Sequence, residues 1–169
     1  MTAVPTPGIR LVVCGNTDRG DDGLALLAAA SLVPALSTAV RAAVDIRWRA
    51  ELRVEDLLDI RPGDRCLILD AVSGARPGQV VVLPLDRLGD QRSFSPRSSH
   101  ELPIGLVVGL AETLRAAPLQ GTFLGLGGAR WGFGDAPSPA ALAGLRAFQA
   151  AIEDELVRSL VSATSAGGT

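Results

Sequence analysis

Residues 65–72 read Arg-Cys-Leu-Ile-Leu-Asp-Ala-Val. A run this continuously apolar offers no polar side to water, so it belongs in the middle of a parallel sheet with helices over both faces. Two other runs fit the same sheet. Residues 9–15 carry Ile9, Leu11, Val12, Val13 and Cys14, and "TFLGLGG" starts at Thr122. Residues 23–36 read as a helix, with Leu24, Leu27, Ala28 and Leu32 near helical spacing. Residues 40–48 read as a second, partly alternating strand (Val44, Ile46, Trp48), and "VEDLLDI" from Val54 as a short helix stopped by Pro62-Gly63. "GARPGQ" is a turn, "VVVLPL" from Val80 a strand, and a hairpin is expected around residues 75–79. Residues 86–97 read as an exposed loop, and a helix follows to near Arg115. The last helix covers residues 138–160, with Leu142, Leu145, Phe148, Ile152 and Leu156 on one face.

Strands and helices therefore alternate, which predicts an α/β fold: a three-layer α/β/α sandwich around a mostly parallel sheet. One domain is expected over residues 1–161, with a flexible tail over 162–169 ("SATSAGGT"). The length of 169 residues, 47% of them hydrophobic, suits one domain with a full core. In such folds a ligand lies beyond the carboxyl ends of the strands.

Charge and cysteine usage narrow the function classes. The net charge is −2 with no basic block, which argues against nucleic acid as a partner. Every cation is Arg, which reads as genomic bias before function. Cys14 and Cys66 each lie in an apolar run, as reduced, buried thiols would. "MTAVPTPGIR" has no signal-peptide pattern, and no apolar run reaches membrane-spanning length without interruption. A cytoplasmic protein with no membrane partner is expected.

The strand ends carry the chemistry. Asn16, Asp18, Asp21 and Asp22 follow the first strand, Asp70 ends the third run, and His100, the single histidine, opens a helix in "RSSHELPIGL". One nitrogen and two oxygen donors suit a divalent transition metal such as zinc or nickel with positions left open, at bond lengths of about 2.0–2.2 Å. Other roles compete at each position. Asp21-Asp22 could serve as an N-cap and a dipole-favoured acid. Asp70 could form a turn, although a carboxylate directly after an apolar strand costs several kcal/mol if buried without compensation. His100 could belong to a capping box with Ser98 and Glu101, or Pro103 could mark the first helical turn. Trp131 and Phe133 could anchor a peptide or plug the core, and Arg92 and Arg97 could meet an acidic partner or only water.

Three motifs, in order, resemble the nickel–iron hydrogenase maturation proteases: "VCGNTDRGDDG", "LILDAVSGARPG" and "SSHELPIGL". The resemblance runs from near Ile9 to near Leu160, and "PSPAAL" matches a late element loosely. It implies a twisted sheet of about five strands between helices. It also implies Asp22, Asp70 and His100 as metal ligands and catalytic residues, with Asp21 at the helix entrance and Asn16 shaping the loop. The implied activity is an endopeptidase that removes the C-terminal extension of a hydrogenase large-subunit precursor after nickel insertion. The nickel would be that of the nickel-loaded precursor, and zinc, cadmium or another divalent metal could stand in its place. The protein itself is expected as a monomer. A water acidified by a divalent cation is one candidate nucleophile. With one histidine, a Ser-His-Asp triad would have to use His100 itself.

The chain departs from the family pattern at Val13, where the first Gly of Gly-x-Gly-Asn stands, and at "RAEL" (residues 49–52), where many members carry "DGGT". Three alternatives follow. A non-catalytic nickel-sensing or docking module for the large subunit would keep the metal site without turnover. A peptidyl-tRNA hydrolase would need a His close after the Gly-Asn turn, and there is none. A nucleotide-phosphate cradle would place three aspartates against phosphate and lacks G-x-G-x-x-G.

Overall fold

The computed structural model describes residues 8–90 and 102–166. Five strands form one sheet: β1 (Ile9–Cys14), β2 (Val44–Arg49), β3 (Arg65–Val72), β4 (Val80–Pro84) and β5 (Gly121–Gly127), in the order β2-β1-β3-β5-β4. β1 runs parallel to β2 and β3, and β3 parallel to β5; β4 alone is antiparallel, against β5. β1 is buried along its whole length and β3 along all but its first residue, as their uninterrupted apolar character requires.

Side chains alternate between two cores. Ile9, Leu11, Val13, Leu67, Leu69, Leu124 and Leu126 face α1 (Leu24–Leu32), α2 (Thr38–Ala43), α5 (Pro139–Ala143) and α6 (Leu145–Ala166). Val12, Cys14, Cys66, Ile68 and Phe123 face α3 (Glu55–Leu58) and α4 (Ile104–Arg115). The expected three-layer α/β/α sandwich is the observed fold. Among the described residues no helix is long and apolar enough to cross a membrane. Cys14 and Cys66 are both buried in the α3/α4 core and form no disulfide. Burial pushes the Cys66 thiol up to about 12, so it stays protonated.

The structure corrects four sequence expectations. The hairpin around residues 75–79 does not form, because β5 occupies the place beside β3. β4 ends in Pro84, which has no N–H for a second ladder, and it is only half-buried; both belong to an edge strand. Residues 40–43 are helical, because Ser37 caps α2: its Oγ accepts from Val40 N at 3.3 Å. The final helix breaks at Gly144, where the backbone of Gly78 crosses too closely for any side chain. It then continues to Ala166, with Ala163 buried. Residues 85–90 form a 3-10 turn that buries Leu85 and Leu88, and the rest of the expected loop lies outside the described residues.

The cap on α2 is testable. Ser37→Ala should cost about 1 kcal/mol. The expected drop in thermal midpoint is about 2–4 °C for a chain of this size, read by circular dichroism.

Candidate functional site

β1 ends at Cys14, and the chain turns at Gly15-Asn16 into a loop that closes on itself. Gly15 has φ +145 and lies against the carbonyl oxygen of Asp22, where a Cβ would collide with that oxygen. Both the conformation and the space demand glycine. Asn16 N donates to the same carbonyl at 3.3 Å, and Asp22 N donates to Arg19 O at 3.1 Å. Asn16 Oδ1 accepts from Asp18 N at 2.9 Å, the Asx turn by which an Asn shapes a loop. A 3-10 turn over Gly20–Gly23 then leads into α1 and packs against β3.

The two adjacent acids do different things. The cap positions of the turn and of α1 are Arg19 and Gly23, so neither aspartate is an N-cap. Asp21 is completely buried and reaches across the sheet edge to the segment after β5. Its Oδ2 accepts from Ala129 N at 2.7 Å, Arg130 N at 3.0 Å and Ser138 Oγ at 2.7 Å, and its Oδ1 accepts from Ser138 N at 2.6 Å. Burial pushes its pKa up, but the hydrogen bonds from Ala129, Ser138 and Arg130 outweigh it, and the carboxyl lies below its usual 3.8. The Asp21 amide adds a bond to Arg130 O at 2.9 Å.

Asp22 is only 4% exposed, in the turn that packs on β3. Asp70 is 6% exposed and lies within β3, which continues to Val72, so it does not form a turn. Its Oδ1 accepts from Ala71 N at 2.8 Å. Val13 pairs with Leu69, so Asp70 stands one step beyond that pair, at the carboxyl edge where the β1 loop begins. The fold thus brings Asp22 and Asp70 to neighbouring strand ends. His100, Arg92 and Arg97 lie outside the described residues. Among the described residues no three His, Cys, Asp or Glu side chains gather as a metal site. Pro103 is the N-cap of α4, one residue ahead of the first turn.

The rim of this edge comes from two loops. The segment after β5 folds over the β1 loop: Gly134 N donates to Asp18 O at 2.8 Å and Arg19 Nε to Trp131 O at 3.2 Å. Phe133 is exposed, with the Arg19 guanidinium 6.0 Å from its ring centroid, so it does not plug the core. Trp131 lies against Gly128, where a Cβ would meet its ring. On the other flank, Gly15 N donates to Arg49 O at 3.0 Å, and Trp48, Arg49, Ala50 and Glu51 line a groove of about 630 Å³. The "RAEL" segment that departs from the family pattern is therefore a wall of the rim.

Ser138 is the functional neighbour that sequence reasoning missed as a partner of Asp21. Its cap role was visible in "PSPAAL", a Ser before a Pro at the first helical position, and its Oγ does accept from Ala141 N at 3.3 Å.

No family model matches the sequence, and no curated protein matches it. Solved structures do match. HycI, a [NiFe] hydrogenase maturation protease from Thermococcus kodakarensis KOD1, superposes with TM-score 0.64 at 22% identity over 90% of this chain and 94% of that one. The hydrogenase maturating endopeptidase HybD from E. coli superposes with TM-score 0.71 at 17% identity over 90% and 93%. The endopeptidase HycI from Escherichia coli gives TM-score 0.65 at 21% identity over 87% and 90%. This chain has the fold of the hydrogenase maturation proteases. The match covers about nine-tenths of this chain and of each of these structures.

The contrast between the neighbouring acids can be measured. Asp21→Asn sets an amide N–H against donors and should lower stability by about 2 kcal/mol or more, whereas Asp22→Asn should leave the thermal midpoint near wild type. A lowered carboxyl pKa stabilises fully above the unfolded value, 3.8, and that contribution is lost as pH falls through the folded value. Denaturant titrations between pH 7 and pH 2 should therefore show a steeper loss of stability below pH 3.8 in wild type than in Asp21→Asn.

Proposed function

We propose that this chain is an endopeptidase that removes the C-terminal extension from a nickel–iron hydrogenase large-subunit precursor after nickel insertion, in the cytoplasm. The observation that carries this reading is the pair of buried carboxylates, Asp22 and Asp70, at neighbouring strand ends in the fold of the hydrogenase maturation proteases. His100 is the third member of the site, by the resemblance of "SSHELPIGL".

The donor chemistry suits a divalent cation. Two carboxylates at one edge repel each other when ionised, and a dication between them turns that repulsion into attraction. Two carboxylate oxygens and an imidazole nitrogen suit nickel, zinc or cadmium, with positions left for substrate. The nickel is that of the precursor, so Asp22, Asp70 and His100 would recognise a loaded substrate. A divalent cation held there would polarise a peptide carbonyl and acidify water. The chain's own part is positional. Gly15 and Asn16 hold the Asp22 loop closed, Asp21 anchors that loop to the segment after β5, and Phe133 and the Trp48 groove border the approach of a peptide. Cys14 is buried in the core, which argues against a thiol nucleophile.

The test is the intact mass of the nickel-loaded precursor before and after incubation. Loss of one discrete C-terminal peptide is expected with wild type. Asp22→Ala, Asp70→Ala and His100→Ala should each abolish it without unfolding the protein, and Cys14→Ala should keep it. Binding without cleavage by wild type would favour the nickel-sensing or docking module; wild-type rates in any of the three variants would remove that residue from the site.

A further inference from the structure

The loop after β1 is closed from within. Gly15 lies on the Asp22 carbonyl oxygen, Asn16 N donates to that oxygen at 3.3 Å, and Gly23 sits so near Thr17 that a Cβ would stand 2.7 Å from the Thr17 Cα. A segment tied to itself at both ends shifts as one body, so the place of Asp22 beside β3 depends on what holds that body from outside. Asp21 supplies a hold on the segment after β5, and Ser138 reaches both of its carboxylate oxygens: the amide donates to Oδ1 at 2.6 Å and the hydroxyl to Oδ2 at 2.7 Å. The donor is itself fixed. Ser138 is buried and caps α5; Ala141 in that helix is fully buried in the α1/α6 core, and Gly144, which follows it, lies against the backbone of Gly78. The hydroxyl thus works in two directions. It accepts from Ala141 N at 3.3 Å as a cap and donates to Asp21 as a tie.

We infer that Ser138 is a positioning residue for the cleavage reaction: through Asp21 it sets where Asp22 stands relative to Asp70. The inference rests on the maturation-protease reading above, in which those two carboxylates meet the substrate. Asp22 follows Asp21 directly in the 3-10 turn against β3, so a shift of one is carried to the other through a single planar peptide unit. A misplacement of about 1 Å at the reacting groups, caused from a distance, is enough to slow a reaction severely. Geometry needed in the transition state, when lost, lowers kcat and kcat/KM together and leaves KM in place. The chain also carries its own control. Ser37 caps α2 with the same kind of bond, its Oγ accepting from Val40 N at 3.3 Å, but α2 leads into the amino end of β2, away from the edge that holds Asp22 and Asp70. Removing the Ser37 hydroxyl takes away a cap alone, whereas removing the Ser138 hydroxyl takes away a cap and the tie to Asp21.

The experiment compares wild type with Ser138→Ala, Ser138→Gly, Ser138→Thr and Ser37→Ala, well below each thermal midpoint, with circular dichroism melts to verify folding. Gly is the better-tolerated N-cap, so Ser138→Gly isolates the tie to Asp21 and serves if Ser138→Ala fails to fold. Cleavage is followed on the nickel-loaded precursor, and amide hydrogen exchange at Asn16 and Asp22 is read on the protein alone. In Ser138→Ala and Ser138→Gly, kcat should fall about tenfold with KM within about twofold, and both amides should exchange about tenfold faster. Ser138→Thr, which keeps the hydroxyl, and Ser37→Ala should stay near wild type in both readouts. A wild-type kcat in Ser138→Ala and Ser138→Gly would overturn the inference, as would wild-type exchange at Asn16 and Asp22, or an equal loss in Ser37→Ala. A wild type that cleaves nothing would sink the endopeptidase reading and with it the role in cleavage; faster exchange in the Ser138 variants would then still show Ser138 holding the Asp22 turn.

Discussion

A single buried carboxylate holds the working edge together. Asp21 accepts hydrogen bonds from Ala129, Arg130 and Ser138, so one side chain joins the loop after β1, the loop after β5 and the start of α5. Burying a charge is costly, and here the cost is met by backbone and hydroxyl dipoles, with no counter-ion among those partners. The donors lie in the loop directly after β5 and at the cap of α5, so the bond set ties that loop and that cap to the β1 loop.

That anchor occupies Asp21 and leaves Asp22 as the candidate site residue. Asp21 and Asp22 are adjacent, yet one is committed to architecture and the other stands in the turn against β3. A 3-10 turn makes this possible, since successive side chains leave it in widely separated directions. The close contact of Gly15 with the Asp22 carbonyl adds a second restraint. Asp70 needs no special support, because β3 is held by parallel neighbours on both sides.

Much of this was legible in the residues. The apolar runs at β1, β3 and β5 identified the layered fold, and the acids near their ends marked the candidate edge. What escaped was long-range. Nothing local says that Asp21 meets Ser138, because the partners are brought together only by sheet order. The same blindness produced the expected hairpin: "VVVLPL" follows a turn, and only Pro84 hinted that the strand belongs at an edge. At residues 40–43 β-branched and apolar residues suggested a strand, while the Ser37 hydroxyl, a single local hydrogen bond, decided for a helix. His100 lies outside the described residues, so its place in the site stands on its motif alone.

The position of β5 has a consequence for how the chain comes into being. β4 finds its partner only when residues 121–127 exist, and β3 lacks one of its two neighbours until then. On a ribosome the sheet would remain open on one side while three-quarters of the chain emerges, with the β3 edge unprotected. Asp21 would likewise wait, charged and solvated, for Ala129 to Ser138. Closure of the sheet and burial of that charge thus become one late event, and the candidate site is completed only in a chain whose sheet is already whole.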